Sequence, residues 1–187
     1  MRYYKLMYDY EKDDNFVNCD SAYIGNMDEY ITISGKDIKQ WEKVVFEYDS
    51  AEGNILTDYL ANLYRWPVVS EDFCKVAQRY TEKQVQYLPV KVIDKHTKLE
   101  TDSYFVMNIM NIIDALDLEN SKYDVFELDD EKIISVEKYA LKDREIINRH
   151  IFRLKDDTIP IFVSETIKKV IEDNGFTGFE FLEIDVI

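Results

Sequence analysis

Residues 69–76 read VSEDFCKV and residues 163–170 read VSETIKKV, so Val-Ser-Glu followed by Lys-Val recurs at an offset of 94. A serine followed by an acid can be a nucleophile, the start of an anion-binding helix, or a helix cap. A nucleophilic serine needs a base and usually a tight glycine-flanked turn, and Ser70 and Ser164 have neither in sequence. A helix N-terminus binds phosphate when its positive end is open, but Glu71 and Glu165 bring carboxylates to that end. The cap remains, with each hydroxyl accepting a bond from an otherwise unpaired backbone N–H.

Carboxylates are the other reagents on offer. Asp114 and Asp117 follow the apolar run NIMNII and are the best-placed pair for acid–base work, although strand-end turn residues are the simpler reading. Residues 114–132 hold eight acids against Lys122 and Lys132, among them Asp117, Glu119, Asp129, Asp130 and Glu131. His96, His150, Cys19 and Cys74 make no metal framework and no CxxC pair, and the acidic loops do not follow the calcium-loop pattern. No glycine-rich phosphate loop or GxSxG turn occurs, so no cofactor is expected.

The elements that would carry these groups can be read from periodicity. RYYKLMYDY alternates with Tyr4, Leu6, Tyr8 and Tyr10 on one side, a strand. YITIS and KVVFEYD are further strand candidates. ILTDYLANLYRW has helical spacing and should stop before Pro67. Residues 68–93 and 162–187 align without a gap, with eight of 26 positions identical. Each copy reads as strand end, capped helix, strand. Phe73, Val76, Ala77 and Tyr80 form the first helical stripe, and Ile167, Val170 and Ile171 the second. Gly175 suits the exit of the second helix. SYFVMNIMNIID is apolar on both faces apart from Asn108 and Asn111 and reads as a central strand. YDVFEL and IISVEKYAL flank DDEK as a hairpin, and HIFRLK and IPIFVS flank DDT likewise.

The resulting expectation is an α+β fold: a mostly antiparallel sheet with two similar strand-helix-strand units, at about 67–93 and 161–187, and one or two further short helices. Residues 1–187 would form one domain with room for two lobes, 1–98 and 99–187.

The chain has 187 residues and a formal net charge of −15. That field opposes nucleic acid and anionic membranes and favours basic partners. Residues 75–98 run the other way, with six bases against two acids, a solvated face. No apolar run approaches a membrane span, and the first residues do not read as an export signal, so a cytoplasmic location is expected.

The succession WPVVSEDF, VQYLPVKV, YFVMNIMNIIDALDLENSKY, HIFRLK and IFVSETIKKVIEDNGFTGFEF resembles immunity protein family eleven, over roughly residues 40–187. The resemblance implies a non-catalytic cytoplasmic protein that binds and neutralises a cognate toxin, encoded by a neighbouring gene. Asp129, Asp130 and Glu131, with Asp117 and Glu119, are the partner-binding candidates. The motif residues Trp66, Ser70, Arg153, Ser164, Gly175 and Gly178 are expected to hold the fold. A small hydrolase or ligand-binding enzyme with a carboxylate pocket, and an adaptor with a non-toxin partner, stay open as alternatives.

Overall fold

The computed structural model describes residues 1–10, 12–81, 84–128 and 131–187. The strands are β1 (Tyr3–Tyr8), β2 (Asn18–Cys19), β3 (Ser21–Tyr23), β4 (Val45–Tyr48), β5 (Tyr59–Asn62), β6 (Val68–Ser70), β7 (Val85–Asp94), β8 (Glu100–Ile109), β9 (Ile112–Ile113), β10 (Lys122–Leu128), β11 (Glu131–Lys138), β12 (Ala140–Leu141), β13 (Ile151–Leu154), β14 (Ile161–Ser164) and β15 (Phe179–Val186). The helices are α1 (Glu71–Thr81), the four-residue α2 (Asp143–Ile146) and α3 (Glu165–Asn174), with a 3₁₀ turn at Ile31–Ile33.

Seven strands form one sheet in the order β2-β5-β6-β8-β7-β4-β3. Its edge strands β2 and β3 stand at opposite ends of that order, yet only Asp20 separates them in the chain. One residue spans only about 4 Å, so the sheet must curl until its edges nearly meet. Alternation then sends one face inward. Leu88, Val90 and Val92 of β7, Tyr104 and Val106 of β8, Leu60, Val68, Phe46 and Trp66 fill this near-barrel. At one end Gln86 and Asn108 sit opposite each other and bind the chain at Lys36 and Ile38. Asp94 ends β7 at the other.

The outward residues of the same strands, among them Val69, Val85, Met107 and Ile109, share a second core with Tyr4, Leu6, Ile151, Ile161 and Val163 of a six-stranded sheet, order β12-β15-β1-β14-β13-β9. Helices α1 and α3 flank this layer, with Phe73 against Phe176 at 5.6 Å between ring centroids. The opposite face of the six-stranded sheet carries a third core, where Tyr3, Phe152 and Phe162 meet Leu116, Tyr139, Leu141 and Ile146. β10 and β11 form a separate two-stranded sheet.

This overturns the α+β expectation. The molecule is mainly β, with 43% of residues in strands and 16% in helices, in three sheets of which one is nearly a barrel. The two echoed segments are not building units. β8 lies between β6 and β7, and β1 lies between β14 and β15, so the strands flanking each helix do not pair with each other. The reason is geometric: each helix carries the chain past one intervening antiparallel strand, and sheet partners come from elsewhere in the sequence.

Local readings shift as well. Residues 55–66 contain β5 in place of a helix. Leu60 faces the barrel and Tyr59 the middle core, so a strand buried on both faces gives an apolar run that imitates helical spacing. YITIS is a 3₁₀ turn and not a strand, because Asp28 Oδ1 accepts from the Tyr30 N–H and Ser34 Oγ donates to the Ile31 carbonyl, both competing with a ladder. In α1 the buried stripe is Phe73, Cys74, Ala77 and Thr81, rotated away from Val76 and Tyr80. The hairpins β10–β11 and β13–β14 are as expected, and β8 is central, but the single strand expected over SYFVMNIMNIID breaks after Ile109, with Ile112–Ile113 passing to the edge of the six-stranded sheet as β9.

Candidate partner-binding surface

The echoed serines do different work. Ser70 caps α1: its Oγ accepts from the Phe73 N–H at 3.2 Å and donates to Asp58 Oδ1 at 2.6 Å. Asp58 Oδ2 accepts from the N–H and hydroxyl of Thr177, so one carboxylate ties the start of α1 to the loop after α3. Ser164 holds the cap position of α3 but makes no side-chain cap bond, contrary to expectation. Its fully buried hydroxyl meets His150 Nδ1 at 2.9 Å instead, and the adjacent Glu165 pairs with Arg2 at 2.7 Å.

The remaining motif residues are fasteners too. Trp66 fills the barrel end and donates through Nε1 to the Glu29 carbonyl at 2.6 Å. Arg153 is buried, and its Nη1 donates to the Thr158 carbonyl at 2.8 Å and to that of Ile159. Burial pushes its pKa down to about 10. Gly175 ends α3 with φ 68°. Gly178 has φ 84°, and a Cβ there would lie 2.5 Å from the Tyr59 carbonyl oxygen, so the chain passes the barrel closely only because glycine stands there.

The carboxylate pair does not converge on a pocket. Asp114 has 62% of its side chain exposed and faces Lys142 at 3.5 Å and Lys155 at 3.9 Å. Asp117 builds a turn: it accepts from the Asn120 side chain and from the backbone N–H groups of Glu119 and Asn120. The Asn120 bond leads in holding its carboxyl below the usual range, which leaves it a poor general acid. Glu119 is exposed on the same turn. Both cysteines are free and buried, with burial raising each thiol to about 12. Among the described residues no three His, Cys, Asp or Glu side chains gather as a metal site would require, and no helix is long and apolar enough to cross a membrane. In the basic stretch, Lys75, Lys91 and Lys95 are each paired with acids.

The Asp117 turn leads into an arm. β10 and β11 pair antiparallel and, among the described residues, with no other strand. Asp129 and Asp130 lie outside the described residues, and Glu131 enters as the first backbone position of β11. The arm's root is anchored: Val136 packs on the third core, and Lys138 reaches Asp185 at 2.6 Å. Farther out, register places Val125 opposite Ile134 on one face and Phe126 opposite Ile133 on the other. Val125 is 51% exposed, Phe126 55% and Ile133 46%. Apolar pairs on both faces of a ribbon gain little unless something covers them. Asp124, Glu127 and Glu137 are exposed on the same arm.

A second surface escaped the sequence reading. Where the barrel meets the six-stranded sheet, two neighbouring hollows share Arg65 and Ile159, and Tyr10, Tyr30 and Leu63 stand exposed along them. Arg65 holds a left-handed backbone, φ 54°. Tyrosine and arginine are types enriched in protein interfaces. Tyr10 and Arg65 lie far apart in sequence, and Tyr8 brings their segments together by stacking on Tyr59 at 4.4 Å and donating its hydroxyl to the Trp66 carbonyl at 2.6 Å. The alternation placing Tyr8 and Tyr10 on one side was the signal available.

Comparison with known families decides the relationship. The model of the Imm11 immunity protein family matches residues 4–186. The chain belongs to this family. The match reaches β1 and the N-terminal strands, beyond the 40–187 carried by the sequence motifs. The family therefore spans the near-barrel, the six-stranded sheet and the arm alike. No curated protein sequence matches the chain.

Proposed function

We propose that the protein confers immunity by stoichiometric binding: in the cytoplasm it holds a cognate toxin domain, encoded by a neighbouring gene, and blocks it without catalysis. Family membership supports a toxin-immunity role. The observation that carries the binding mechanism is the arm, an acid-rich ribbon with exposed apolar pairs on both faces. The net charge of −15 favours a basic partner and speeds its approach. If the toxin is a nuclease, its substrate site is basic, and acids such as Asp124 and Glu127 would stand in for phosphates.

Co-expression of the neighbouring toxin gene with this protein in a bacterial host tests the reading. Growth rescue together with one-to-one co-purification, weakened by salt, is the expected result. Rescue without a complex would contradict it and would point to an enzyme that reverses the toxin's damage.

A further inference from the structure

We infer that the β10–β11 arm takes a strand from its partner: a cationic, amphipathic β-strand of the toxin adds to an open edge of the ribbon, making a sheet that crosses the interface. This rests on the immunity reading above.

A two-stranded sheet has two edges and satisfies only the backbone groups that point inward. Each outer edge presents a row of N–H and C=O groups that a further strand can pair. Two-stranded hairpins are marginal in water, and a third strand is the usual remedy. Proteins commonly block such edges with proline or a covering element. Residues 122–138 contain no proline and no glycine, and among the described residues no further strand pairs with the arm. The pairs Val125–Ile134 and Phe126–Ile133 give an added strand apolar neighbours on either face.

Charge selects the occupant. Residues 122–138 hold six acids and three bases. Two of those bases are engaged: Lys122 with Glu137 at 2.6 Å and Lys138 with Asp185 at 2.6 Å. A second copy of the arm would bring acids against acids, which disfavours pairing. A strand alternating lysine or arginine with apolar residues meets both the charge and the apolar pairs.

The experiment is hydrogen–deuterium exchange on the full chain, alone and with a catalytically inactivated form of the neighbouring toxin domain. It is paired with titrations of F126T/I133T and D124K/E127K. Threonine keeps strand propensity, and all four sites are exposed, so unchanged melting of the variants certifies their fold. Protection of amides in 122–128 or 133–138 on binding is expected, with an affinity loss above about tenfold in either variant. Tight binding with the arm amides unprotected would overturn strand addition while leaving the immunity reading intact. Loss of affinity without amide protection would also overturn it, since side chains alone would then make the contact. Absence of both complex and rescue would overturn the immunity reading itself.

Discussion

Asp94 is 2% exposed and accepts from the backbone N–H groups of Ser50 at 3.1 Å and His96 at 2.9 Å and from the Thr97 hydroxyl at 2.5 Å. Burial pushes its carboxyl pKa up, but these bonds together outweigh it and hold the pKa well below the usual range. A depressed folded-state value means stabilisation that is fully present above the unfolded value of about 4 and is lost as the pH falls through the folded one. Asp94→Asn should therefore destabilise the protein at pH 7, with the gap to wild type narrowing below about pH 4. Urea unfolding across that range measures it; a gap independent of pH would contradict the assignment. At this scale the sequence was informative where chemistry is local: the Ser70 cap and the Gly175 exit follow from helix-end physics. Ser164 was misread because its true partner, His150, comes from the loop that enters β13.

At the scale of elements, the junction between the near-barrel and the six-stranded sheet depends on the Thr177-Gly178 segment. The Tyr59 N–H donates to the Thr177 carbonyl at 3.0 Å, the Asp9 N–H donates to that of Gly178 at 3.0 Å, and Asp58 binds Thr177 from the other side. Gly175→Ala should cost about 1–2 kcal/mol, the left-handed backbone alone, since nothing lies within 4 Å of the added Cβ. Gly178→Ala should cost more, because the same backbone strain is joined by collision with the Tyr59 carbonyl and Thr57. Chemical denaturation of the pair reads the order; equal losses would remove the close approach from the account. β1 was legible from alternation because Lys5 and Met7 stay only half-buried beside the buried Tyr4 and Leu6. β5 was not, because a strand between two cores loses its polar face, and the 3₁₀ turn was set by Asp28 and Ser34 side chains.

The whole molecule was the least legible. Hairpins are near neighbours in sequence, but closing the near-barrel brings β2 beside β5 and β3 beside β4, and the six-stranded sheet seats β1 between β14 and β15. Such pairings are set by what each face must bury, not by local propensity. The echoed segments suggested independent units, whereas their helices lie together over one shared core. The arm's hairpin was readable, and so was its acidity. That it pairs with no further strand among the described residues, which makes it a candidate contact, emerged only from the three-dimensional arrangement. The Tyr10–Arg65 surface lies across the seam of two sheets and had no sequence signature as a unit. The most direct test of neutralisation by binding is titration of the toxin's activity with this protein at low and high salt. Inhibition complete at one equivalent, with affinity falling as salt rises, is expected; inhibition by a small fraction of an equivalent, growing with time, would mean turnover and contradict it.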